Sequence, residues 1–159
     1  MKKILLFSHG FGVKRDDRGL FTDIASQFPD YQSVMFDYNE IDEKSNTLTA
    51  TPIEQQAKIL TQQYNDIPAG QVVYLICHSQ GCLVATLTNL QNIKKVVFIT
   101  PAQTVNVDAF LKKFEGRTNT HIDRQGDSTF ARKDGSTTIV PRAYLDSIEG
   151  IELRKLYAE

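Results

Sequence analysis

Val72-Val73-Tyr74-Leu75-Ile76-Cys77-His78-Ser79-Gln80-Gly81-Cys82-Leu83-Val84 is the stretch on which the reading of this chain turns. Val72 to Ile76 is the most apolar run in the sequence and reads as a buried strand. Leu83, Val84, Leu87 and Leu90 follow at helical spacing. Between them a sharp turn, Cys77-His78-Ser79-Gln80-Gly81, carries strand directly into helix. Serine is a weak nucleophile at neutral pH. It needs exposure, a base and stabilisation of the oxyanion that forms. A tight strand-to-helix turn supplies exposure, and small residues two before and two after the serine let the backbone close. Cys77 and Gly81 occupy those positions; the general pattern has glycine at the first, so Cys77 makes this a relaxed version.

Working outward, Ile4 to Phe7 is a second continuous apolar run, ending in Ser8-His9-Gly10-Phe11-Gly12. It reads as a buried strand whose loop faces the same end of the sheet as the Ser79 turn. Two backbone donors are then expected at Ser79: the Gln80 N–H, and the Phe11 N–H from this loop, where Gly10 and Gly12 permit the backbone to turn. His9 is expected to brace that loop rather than act as a base. His78 is expected to point away from the Ser79 hydroxyl. The charged run Lys14-Arg15-Asp16-Asp17-Arg18-Gly19 reads as loop, and Leu20, Phe21, Ile24, Ala25 and Phe28 as a helix ended by Pro29. Ser33 to Phe36 reads as a strand, followed by Asp37-Tyr38-Asn39 and a long polar loop to Asn46. Asp37 sits where it would border a substrate pocket at the carboxyl end of a parallel sheet. Thr51-Pro52-Ile53-Glu54 is a helix start, with Ile53, Ala57, Leu60 and Tyr64 on one face. Val96 to Ile99 reads as the next buried strand.

This alternation predicts an α/β fold, a mainly parallel sheet with helices on both faces in three layers. The last third differs. Val107 to Phe114 reads as a short helix, and Thr129–Arg132 and Thr137–Val140 flank Lys133-Asp134-Gly135-Ser136. Asp-Gly suits a type I′ hairpin turn, so a small β-hairpin cap is expected near 127–141, within a cap segment at about 102–150 of a single 1–159 domain. Ala143–Ser147 and Ile151–Tyr157 read as helical turns.

His9-Gly10-Phe11-Gly12, Cys77-His78-Ser79-Gln80-Gly81 and the strand–helix order together resemble the α/β-hydrolase superfamily, in particular its small single-domain serine esterase- and lipase-like members. The resemblance covers roughly residues 3 to 101. It implies hydrolysis of esters, thioesters or amides with no cofactor and no metal, Ser79 as nucleophile, and the Phe11 and Gln80 amides as oxyanion hole. The family's chain order is nucleophile, acid, histidine. Here no clear apolar strand follows Val140, where the last two strands would come, and the one histidine after Ser79 is His121. Three explanations stand: a shortened hydrolase, a base at His121 oriented by Asp108, Asp123 or Asp127, or a hydrolase-like protein that binds rather than cleaves.

Composition narrows the partners. With 41% hydrophobic and 23% charged residues the chain matches ordinary globular proteins, and a net charge of -1 gives no field that favours nucleic acid or an anionic membrane. No stretch approaches transmembrane length. Cys77 and Cys82 are too few for a disulfide framework or a zinc site and read as reduced thiols, which implies the cytoplasm. The expected partner is a small ester-type substrate. A sheet lacking its last strands would leave the Val96–Ile99 edge unpaired unless the cap or another chain covered it, so a homo-oligomer through that edge is also an expectation.

Overall fold

The structure, a computed structural model, describes residues 1–103 and 105–153. Two compact units divide the chain, one of Met1–Tyr38 with Gln56–Ala102 and one of Asn39–Gln55 with Gln103–Glu159.

The first unit is built on four parallel strands in the order β2-β1-β5-β6: β1 (Lys3–Ser8), β2 (Tyr31–Val34), β5 (Val72–His78) and β6 (Ile93–Ile99). The two central strands are the two longest apolar runs. Residues 4–8 of β1 are all buried, as a strand flanked on both sides requires. The helix α1 (Leu20–Ser26) packs Phe21 against Leu5, Phe7 and Ile76 on one face of this sheet. Phe7 and Phe21 rings lie 4.7 Å apart. The helix α2 (Ile53–Asn65) starts in the second unit and continues into the first, burying Ile53, Gln56 and Leu60. The short helix α3 (Gln80–Thr86) leaves β5 through Ser79. Parallel neighbours place Ser8, Cys77 and Phe98 side by side, so the ends of β1, β5 and β6 come level.

Three expectations for this unit change. The strand expected over Ser33 to Phe36 runs instead over Tyr31–Val34. α3 ends at Thr86, and Leu87 is 40% exposed rather than part of a longer apolar stripe. Val96 to Phe98 are exposed, not buried: β6 is last in the sheet order, and neither of its faces is covered over these residues.

The second unit contains a mixed sheet in the order β3-β4-β8-β7: β3 (Glu40–Asp42), β4 (Thr47–Thr49), β7 (Ser128–Ala131) and β8 (Thr137–Val140). The hairpin expected near 127–141 is there as β7 and β8, antiparallel. Its turn is not type I′. Asp134 keeps a negative φ; Gly135 N–H donates to the Arg132 carbonyl and Gly135 takes φ 82°, the pattern of a type I turn closed by a left-handed glycine. The stretch read as a long polar loop to Asn46 also changes. It forms a second hairpin whose β4 pairs in parallel with β8. Asp42 closes the turn by accepting from the Lys44 amide and the Ser45 hydroxyl, and Asn46 supplies a left-handed φ of 51°.

The helices α4 (Val107–Lys112), capped by Asn106 on the Ala109 amide, and α5 (Arg142–Ile148) complete this unit. Its core is aromatic: Phe114 and Phe130 stack with centroids 4.0 Å apart, and Phe110 reaches Phe130 and Tyr144. The Arg117 and Arg132 guanidinium groups lie over the Phe114 ring. The Ser147 hydroxyl accepts from the Ile53 amide at the start of α2. The helical turn expected over Ile151–Tyr157 falls largely outside the described residues.

Candidate active site

Ser79 stands where β5 ends and α3 begins, with φ 51° and ψ −115°, a conformation few side-chain-bearing residues adopt. Hydrogen bonds fix it there. The Ser79 N–H donates to the Ile99 carbonyl, and the Ser79 carbonyl accepts from Cys82 and Ala102. Gly81 shows why glycine occupies the position two after the serine. A Cβ there would lie 2.0 Å from the Ser8 carbonyl oxygen and 2.8 Å from that of His9. The turn therefore sits directly on the end of β1. Cys77, two before the serine, is fully buried. Within its unit the half-buried Ser79 makes no side-chain hydrogen bond to a described residue.

The loop after β1 is held by buried side chains. His9 is 1% exposed; its Nε2 accepts from the Tyr38 amide, so Nδ1 carries the proton and donates to the Gly10 carbonyl. Burial lowers its pKa, against the raising effects of that carbonyl and of Asp37, Asp17 and Asp16. Both ring nitrogens are thus engaged, one with the Gly10 carbonyl and one with the Tyr38 amide. The buried Tyr38 phenol, whose pKa burial pushes up, donates to Ser8 Oγ at 2.6 Å, and Ser8 Oγ donates to the Gly81 carbonyl at 2.9 Å. This relay joins the segment after β2, the end of β1 and the Ser79 turn.

Asp17 is the residue that sequence reasoning missed. It lies in a run of charges, yet it is 5% exposed. Its Oδ2 accepts from the Gly10 N–H at 2.8 Å and from His78 Nδ1 at 2.7 Å. A Cβ on Gly10 would lie 3.2 Å from His78 Nδ1 and 3.4 Å from both Asp17 Oδ2 and Ser79 Cβ. Gly10, Asp17, His78 and Ser79 therefore meet at one point, with His78 partly exposed beside the serine. Gly12 takes φ 62° and turns the loop. Phe11 between them is half-buried. Gln80 is buried and donates through Nε2 to Gln56 Oε1. Asp37 Oδ1 accepts from the Arg15 amide at 2.6 Å, so it ties down the far side of the same loop.

His121 belongs to the second unit, where its backbone exchanges hydrogen bonds with Thr129 and its side chain is exposed. The acids considered for it are engaged elsewhere or solvated. Asp108 pairs with Arg124, Asp123 accepts from the Gln125 amide, and Asp127 is exposed. The Gln125 and Gly126 amides lower the Asp123 pKa most, with a smaller contribution from His121. Burial raises both thiols, Cys82 to about 11, so neither is a thiolate nucleophile near neutral pH. Among the described residues no three His, Cys, Asp or Glu side chains are grouped as metal ligands, and no helix is long and apolar enough to cross a membrane. No protein-family model matches the chain, and no curated protein matches it.

Proposed function

We propose that this chain is a serine hydrolase of carboxylic esters, with thioesters and amides as related substrates, working through an acyl-enzyme on Ser79. One observation carries this reading: Ser79 sits at φ 51° on a strand-to-helix turn closed against the end of β1 by a glycine that no other residue could replace without displacing backbone. The proposal includes the three-layer arrangement of α/β hydrolases. Ser79 Oγ attacks the carbonyl carbon and loses its proton to a base. The Phe11 and Gln80 amides hold the oxyanion; the leaving alcohol takes the proton, and water then releases the acid. The two free, buried cysteines accord with a reducing compartment, and the cytoplasm belongs to this proposal.

A second reading, a hydrolase-like protein that binds without cleaving, draws on the Ser79 hydroxyl having no hydrogen-bonded base within its unit. Labelling by a fluorophosphonate probe separates the two, since such probes react with activated serines. Labelling that disappears in Ser79→Ala is the expected result. A folded chain that does not label overturns the hydrolase reading and leaves the binding protein.

A further inference from the structure

We infer that Asp17 is a positioning residue of the Ser79 site, clamping the loop after β1 to the nucleophile turn so that the Phe11 amide is held beside the developing oxyanion. This rests on the hydrolase reading above. Gly10 is the pivot. Its N–H is held by Asp17 Oδ2 and its carbonyl by His9 Nδ1, at 2.8 Å each. A trans peptide puts N–H and C=O on opposite sides. The peptide that carries the Gly10 carbonyl also carries the Phe11 N–H, so His9 sets the tilt of that plane, while Asp17, bound to the preceding His9–Gly10 peptide, fixes where the plane sits. The same Asp17 oxygen accepts a hydrogen bond from His78 Nδ1, and His78 immediately precedes Ser79. One carboxylate therefore sets the distance between the loop that offers the Phe11 donor and the turn that offers the nucleophile.

The backbone around Asp17 is built to aim this side chain inward. Asp17, Arg18 and Gly19 take φ of 49°, 59° and 90°, three successive left-handed residues. The Asp17 amide closes a turn on the Lys14 carbonyl, and the Gly19 and Phe21 amides both donate to the Asp16 carbonyl. Strained backbone persists where surrounding structure over-determines it. A buried carboxylate is costly unless its oxygens are hydrogen-bonded, and here the donors come from the two segments that flank the reacting position.

The test uses the full chain, with amide exchange at Gly10 by NMR and the concentration dependence of fluorophosphonate labelling, which separates the limiting rate from the probe's apparent affinity. In Asp17→Ala, Gly10 exchange is expected to rise by about tenfold or more, and the limiting rate to fall by about tenfold at an affinity within about twofold of the parent. Asp17→Asn keeps an acceptor for Gly10 and is expected to recover Gly10 protection and part of the rate. Gly10 exchange unchanged in Asp17→Ala overturns the clamp. Raised exchange with an unchanged limiting rate overturns the positioning role. If Asp17→Ala does not fold, His78→Leu carries the test through the other half of the clamp: slower labelling at unchanged affinity is expected, and parental labelling overturns it. A parent chain that fails to label removes the hydrolase reading and the positioning role together, while Gly10 exchange still decides whether Asp17 clamps the loop.

Discussion

Gly81 and Gly10 are both close-approach glycines, and the space around them differs enough to rank them. An alanine Cβ at 81 would penetrate the Ser8 backbone, which cannot yield without moving β1. Gly81→Ala is expected to cost at least about 3 kcal/mol in urea unfolding. At Gly10 the nearest atom is 3.2 Å away on a side chain, so Gly10→Ala is expected to cost only about 1 kcal/mol. His9 adds a pH dependence. Its folded pKa is lowered, so the folded state keeps it neutral where the unfolded chain takes up a proton. The stability tied to neutral His9 is complete above about pH 6.5 and is lost as pH falls through that value towards the lower folded pKa. Between pH 7.5 and 5.5 the parent is expected to lose up to ~1.4 kcal/mol more than His9→Gln, read from denaturant midpoints; equal losses would show that His9 protonates freely in the fold. Ser79 and Gly81 were legible in the sequence because a tight turn imposes its demands on adjacent residues. Asp17 was not, because nothing local distinguishes a buried aspartate from its solvated neighbours Asp16 and Arg18. Its burial follows from two partners, Gly10 and His78, of which the second is far along the chain.

At the scale of elements, legibility followed the length of each apolar run. The central strands β1 and β5 announce themselves as continuous runs, and the β7–β8 hairpin through its Asp-Gly turn. β3 and β4 are three residues each, with polar ends, and give no periodicity to read. β4 pairs with β8, ninety residues later in the numbering, through the register Leu48↔Thr138. The helix α3 shows the opposite error: Leu87 and Leu90 fit a helical stripe that the structure does not continue. Two alanine substitutions check this. Leu48, 5% exposed between β3 and β8, is expected to lose about 2–4 kcal/mol on Leu48→Ala. Leu87, 40% exposed, is expected to lose only about 1 kcal/mol on Leu87→Ala. Similar midpoints for the two variants would contradict the placement of β4 in that sheet.

For the whole molecule the decisive feature is β6. Parallel sheets are ordinarily covered on both faces and protected at their edges. β6 pairs with β5 and with no other described strand, and Val96, Val97 and Phe98 are 49%, 45% and 39% exposed. The sequence anticipated an unpaired edge here but not the exposure of both its faces, since Val96 and Val97 point to opposite sides of a strand. Such an edge is a template for another strand. A second copy satisfies it without conflict. Antiparallel pairing centred between Val96 and Val97 would set Lys95 against Phe98 and Lys94 against Ile99, so the lysines never oppose one another, and their stems would cover apolar surface. The parent is therefore expected to pass from monomer to dimer over a sedimentation concentration series. Val97→Lys, which places two like charges near the two-fold axis, is expected to stay monomeric, and Ser79→Ala to behave as the parent. A parent that remains monomeric at every concentration would rule out a second copy as the occupant of this edge. A Val97→Lys chain that still dimerises would move the interface away from β6, because two lysines brought together near the two-fold axis repel one another.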